Sequence, residues 1–133
     1  MINVWYGWPL ERVLVVLLGL MYFVIFVQVT LFHYRQNFRH WSMWIPVIAT
    51  PLDALAMMTY VFYPAVWLGL AVTLLLAASL LAGLMGSYLH WRGVGERVGG
   101  YEMRNFLVGP PVALPGMITA TSLISLIVLY WRR

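Results

Sequence analysis

The sequence predicts an all-α integral membrane protein, a bundle of four spanning helices with both termini on the same side. Three observations lead there. Apolar residues make up 63% of the 133 and charged residues 9%, whereas a soluble domain carries about 25% charge. The apolar residues fall into four stretches, each near the roughly 20 residues that cross a hydrocarbon core about 30 Å thick. Nearly every Trp and most Tyr lie at the ends of those stretches, where membrane meets water. The length allows a single domain, 1–133. Such a composition excludes disorder. The lack of Cys excludes disulfides, iron–sulfur clusters, thiolate metal sites and cysteine nucleophiles.

The first span covers 10–32 and begins at the acid–base pair Glu11 and Arg12. It is longer than a signal-peptide core, lacks a small-residue cleavage site and precedes three more spans, so it is expected to stay in the mature chain. The second span covers 44–62 and carries Pro46, Pro51 and Asp53. A short link at Tyr63 and Pro64 leads to the third, 65–89. Pro64 suits a helix start, where its missing N–H costs nothing. The fourth covers 107–131. One interface then collects Trp5, Tyr6, Trp8, Tyr60, Tyr63, Trp67, Tyr130 and Trp131, and the other Tyr34, Trp41, Trp44, Tyr88, Trp91 and Tyr101. There is no internal repeat, and the halves are not inverted copies, which removes one mark of a transporter.

All eight basic residues are Arg. Arg35, Arg39, Arg92, Arg97 and Arg104 lie in the two longer connections, and Arg12, Arg132 and Arg133 on the opposite side. Basic connections tend to stay in the cytoplasm. The expected location is the cell (inner) membrane, multi-pass, with the termini outside and the longer loops cytoplasmic. The basic balance points to anionic lipid rather than nucleic acid.

Asp53 is the costliest residue for a membrane to hold. It lies about nine residues into its span, roughly 13 Å deep at about 1.5 Å per residue. An ionised carboxylate there costs several kcal/mol unless paired, protonated or hydrated. No basic residue lies at that depth; Ser79 and Thr119 are the expected hydrogen-bond partners, with Gln28 further along. Asp53 therefore reads either as a proton- or cation-handling acid or as a neutral group that glues helices together.

His33 ends the first span and His90 the third, and these spans run in the same direction, so both rings meet one interface. Two such histidines can ligate a haem iron from opposite faces. Ala78, Ala82, Gly86 and His90 repeat every four residues, so they share a helix face, with Ser79, Gly83 and Ser87 beside them. A flat macrocycle could lie there, although Tyr22, Phe26, Val29 and Thr30 leave little space beside His33. The alternative is that the small residues pack another helix and the histidines sit among headgroups at helix C-termini. His40 is an alternative ligand or a solvated loop residue.

The segment 91–106 is expected to be an interfacial loop. Its glycines lack the lysine and spacing of a phosphate cradle, and Arg92, Arg97 and Arg104 are candidates for contact with lipid phosphates or a partner. Pro110, Pro111 and Pro115 crowd the start of the fourth span, as Pro46 and Pro51 crowd the second. Such backbone must face protein or a cavity in lipid, which makes the loop-side half of the bundle the place to seek a cavity, haem b or quinone; the alternative is that these helices are kinked only to pack. The eight Met read as packing, and no hydrolase constellation is present.

Three segments, 33–51 (HYRQNFRHWSMWIPVIATP), 89–94 (LHWRGV) and 105–115 (NFLVGPPVALP), together resemble a family of small, uncharacterised bacterial membrane proteins with four spans. There a first span ends in His, followed by an MWxPV-like start to the second span, an HxRGV turn and a GPP-containing start to the last. His33, Met43, Trp44, Pro46, His90, Arg92, Gly93, Gly109 and Pro110 match the pattern. The resemblance implies that these segments form one unit and carries no assigned chemistry. Phe32 stands where an acid is usual, and RQN replaces a Gly-rich stretch, so no acid-assisted role for His33 follows.

These readings converge on an accessory or anchor subunit of a larger membrane complex, without catalysis of its own. The sharper form is a redox assembly in which His90 and His33, with Gly86 and Ala82, hold haem b, or in which the cavity admits quinone. Lipid, other membrane subunits or a second copy are the expected partners. The alternatives are a small proton-coupled transporter using Asp53 and a purely structural, lipid-binding subunit.

Overall fold

The computed structural model describes residue 2 and residues 4–131. Arg132 and Arg133, counted above toward the orientation, lie outside the described residues. The chain forms α1 (Leu10–Arg35), a 3-10 turn (Trp41–Met43), α2 (Trp44–Phe62), α3 (Val66–Val98), a short α4 (Met103–Val108) and α5 (Ala113–Tyr130). Among the described residues, four segments are long and apolar enough to cross a membrane: α1, the 3-10 turn with α2, α3 and α5. The all-helical four-span architecture is the one expected.

Each long helix packs on two others. α1 and α3 both pack on α2 and on α5, so the two parallel pairs, α1 with α3 and α2 with α5, occupy opposite corners of an antiparallel square. The end that carries the chain termini is packed solid. Val15, Met57, Tyr60, Val61, Val72, Leu76 and Leu129 form a continuous apolar core there. Trp5 closes it, its ring 5.1 Å from that of Tyr60.

The loop end is built differently. α3 does not stop where its apolar run stops, at residue 89, but continues to Val98. Residues 91–98 of the segment expected as a loop are helical because three ordinary features outweigh their glycines. Each Gly costs a helix only about 1 kcal/mol. Arg92 and Glu96 pair at 2.6 Å across one turn. Gly93 and Gly95 are places where a neighbour comes close: added side-chain carbons would meet Pro110 and Tyr101. The helix ends only at Gly99, whose φ of +87° is the left-handed cap that Gly adopts without strain.

The expected fourth span is in fact two pieces. α4 ends at Gly109, and the chain is non-helical through Pro110 and Pro111 before α5 begins. Two consecutive prolines remove two backbone donors and push the residue before each out of the helical region. Pro51, by contrast, is accommodated inside α2. α3 and α5 approach closely because Gly83 allows it: a Cβ there would lie 2.8 Å from the Thr119 nitrogen and 3.0 Å from the Pro115 carbonyl oxygen. Part of the small-residue stripe therefore packs a helix.

Candidate functional site

A cavity of about 550 Å³ occupies the loop end of the bundle, the half in which the proline-rich segments lie. Its size falls within the range of small-molecule sites. His33, His40 and His90 line it together with Gly86, Ala82, Arg92 and Arg97. The cavity exists because α1 and α3 are diagonal at this level. The 3-10 turn and the Pro110–Pro111 break border the space without filling it.

His90 is oriented by the broken helix. Its Nδ1 lies 2.9 Å from the Pro111 carbonyl oxygen. A carbonyl only accepts, so Nδ1 carries the hydrogen and Nε2 keeps its lone pair. That arrangement leaves one imidazole nitrogen as an acceptor or ligand, with the ring fixed by the other. Gly93, one turn on, is pressed by Pro110, whose Cγ would sit 3.1 Å from an added Cβ. The HxRGV and GPP segments are thus docked on each other.

His33 is more deeply enclosed, with 6% of its surface exposed. Its ring lies against the Met43 backbone and within electrostatic range of His90, and Nδ1 has no partner among the described residues. His40 is exposed; its Nδ1 accepts from the Ser42 amide at 3.2 Å and caps the 3-10 turn. Arg92 is engaged by Glu96. Arg104 stands apart: it pairs with Glu102 at 3.0 Å on the protein surface and does not reach the cavity. Among the described residues, no three His, Asp or Glu side chains gather as a metal site.

No family model matches the chain, and neither a curated protein nor a solved structure matches it. Residues from all three segments singled out in the sequence meet at this cavity. His33, Met43, Pro46, His90, Arg92, Gly93 and Pro110 all line the cavity.

Asp53 lies just beyond the cavity. It is buried, and the Ser79 hydroxyl donates to its Oδ2. Of the other partners expected for it, Thr119 instead donates to the Pro115 carbonyl at 3.2 Å, and Gln28 is exposed on the outer surface of α1. Periodicity explains the miss: Gln28 follows Tyr22 and Ile25 by intervals that carry it off the buried face of α1.

A second space was not legible in the sequence. Ile45, Ile48, Ala49, Leu52, Leu75, Ala78 and Ala82 enclose an apolar slot of about 450 Å³ between α2 and α3. Trp44, Ile48 and Leu52 at its rim are exposed on the outer surface. Trp41, Ile45, Ala49, Ser79 and Ala82 line both spaces. The alanines spaced by four that suggested a macrocycle face border this slot.

Proposed function

We propose that the chain is a small subunit of a larger membrane redox assembly, and that its cavity takes the head of a lipid-soluble quinone. The observation that carries this reading is the adjacency of the two spaces, which share Trp41, Ile45, Ala49, Ser79 and Ala82 in their walls. A histidine-lined chamber at the loop end lies beside an apolar slot with exposed apolar residues at its rim, an arrangement that suits an amphiphile with a small polar head and a long hydrocarbon tail. His90 Nε2 is placed to accept a hydrogen bond from a quinol hydroxyl, and the ring cannot turn away without losing Pro111. The tail would lie on Ala49, Ala78 and Ala82, whose small side chains make the slot. Partner subunits would supply the electrons; this chain would bind and orient.

A haem b reading is favoured by one feature. Metal-ligating histidines commonly donate their second N–H to a backbone carbonyl, as His90 does. The remaining nitrogen suits one axial bond, and bound haem would supply one-electron transfer. His33 fits the second axial position poorly: its free nitrogen is sealed and its ring is held against Met43.

Purification in mild detergent, followed by extraction and an absorption spectrum, tests both. The expected result is co-purifying quinone, lost in His90→Ala and in Ala82→Trp, which fills the slot. A Soret band lost in His90→Ala would transfer the assignment to haem. Colourless protein that retains no quinone and resists labelling by a photoreactive quinone would overturn the redox reading.

A further inference from the structure

Every long helix brings a polar side chain to the middle of the bundle: Tyr22 from α1, Thr50 and Asp53 from α2, Ser79 from α3, Ser122 and Ser125 from α5, all buried. Several are satisfied close by. Thr50 donates to the Pro46 carbonyl at 2.7 Å and Ser122 to the Ile118 carbonyl at 2.8 Å. Ser122 spends its hydrogen there, so the Tyr22 hydroxyl donates to Ser122 Oγ.

Asp53 is different. It is 1% exposed, Ser79 donates to Oδ2, and Oδ1 has no partner among the described residues. Neither protonation state satisfies the site. In the neutral acid the contact reverses, Oδ2–H donating to Ser79 Oγ, and the Oδ1 carbonyl oxygen is left with no donor among the described residues. In the carboxylate no cation among the described residues answers the charge. On α1 the charged residues Glu11, Arg12 and Arg35 sit at the helix ends, and Tyr22 is the titratable group at this level. On α3, His90, Arg92, Glu96 and Arg97 are all at the loop end. Tyr60 and Tyr130 lie toward the opposite end of α2 and α5, and His40 precedes α2. A group used only to glue helices would have both oxygens bonded, because each unsatisfied buried atom costs about 1–3 kcal/mol.

A second observation gives the acid a route. Ser79 borders both the cavity and the slot, so a single hydroxyl separates Asp53 from the loop-side space. A serine hydroxyl donates and accepts at once. It can pass its hydrogen to Oδ2 while Oγ takes another proton from a donor in the cavity, leaving the hydroxyl unchanged and the acid neutral. Toward the termini, Met57, Tyr60 and Leu76 close the bundle with no exposed surface. We infer that Asp53 is a proton-binding site that loads and unloads through Ser79 from the loop-side cavity. The inference is independent of what the cavity binds, and its test needs no ligand.

Asp53 is the single aspartate in the chain, so ¹³C-aspartate labelling gives an infrared reporter for it alone. In the full chain reconstituted into bilayers, the labelled acid carbonyl band is expected to convert reversibly to carboxylate as bath pH rises. Its hydrogen–deuterium exchange is expected to slow by about a hundredfold in Ser79→Ala and to stay near the native rate in Ser79→Thr, which keeps the hydroxyl and checks that the fold tolerates change there. A band that never converts while the protein stays folded, or equal exchange in Ser79→Ala and native protein, would overturn the inference. A shift on replacing potassium by sodium at fixed pH would also overturn it, in favour of a small-cation site.

Discussion

His90 and Pro111 are joined by a 2.9 Å hydrogen bond from the imidazole Nδ1 to the main-chain carbonyl. This one contact ties the third span to the break before the fourth. It also sets the chemistry of the ring, because the nitrogen left free is the one with a lone pair. The proline pair contributes at both levels: it ends α4, and it leaves a carbonyl outside any helix to receive the histidine.

Replacing His90 separates those roles. Asn places an amide N–H close to where Nδ1 stands, so His90→Asn is expected to keep the link to Pro111 and native thermal stability in detergent. His90→Ala loses the bond, at about 1 kcal/mol. Both lose the Nε2 acceptor, so both are expected to lose the quinone proposed to bind there. Quinone retained in His90→Asn would show that the ring serves only to hold the chain break.

The approach of α3 to α5 yields a contrast between two glycines. Gly83→Ala forces a methyl into the backbone of Thr119 and Pro115, and overpacking of this kind costs about 1–3 kcal/mol. Gly116→Ala meets nothing within 4 Å and improves helix propensity by about 1 kcal/mol. The first is expected to lower the melting temperature in detergent and the second to leave it unchanged or raise it. Equal effects would mean that the helices do not approach at Gly83.

At the opposite end, Arg12 reaches across from α1 to the C-terminus of α2. Its Nε and Nη2 donate to the Val61 carbonyl at 3.0 and 2.6 Å, and its guanidinium lies 4.4 Å from the Trp8 ring centre. Two donors of one planar group on one oxygen are a geometry that lysine cannot reproduce. Arg12→Lys is therefore expected to destabilise nearly as much as Arg12→Ala, by about 1 kcal/mol after allowance for its partial exposure, as read by detergent-induced unfolding. A lysine variant of native stability would show that the charge alone matters there.

Much of this was legible in the sequence because bilayer thickness and interface chemistry constrain a chain locally. Leu and Val runs mark the spans, Trp and Tyr their ends, and prolines the irregular backbone. His33 and His90 share a cavity as helix direction requires. Other features depended on tertiary contacts. Hydropathy reports where lipid ends and not where a helix ends, so it does not show that α3 runs on to Val98. Ser79 could be placed at the depth of Asp53, but that it also borders a lateral slot depends on how α2 and α3 splay. Arg104 looked equivalent to Arg92 and Arg97 because charge alone does not say which side of α4 a residue occupies.

Four antiparallel long helices place both connections beside the cavity at one end of the bundle, and this topology can be read directly. The chain has no Cys, so each introduced thiol is a unique label. Tyr6, Asn37 and Met103 are exposed in the structure, and replacing them leaves the arginines that set orientation intact. Asn37 has φ +54°, so Asn37→Cys carries about 1–2 kcal/mol of backbone strain, tolerable in a turn. With an impermeant maleimide on intact cells, Tyr6→Cys is expected to react at once, and Asn37→Cys and Met103→Cys only after permeabilisation. The reverse pattern would invert the orientation and leave the bundle standing. Opposite accessibility of positions 37 and 103 would break it, because an even number of crossings between the two connections is what brings His33 and His90 to the same end.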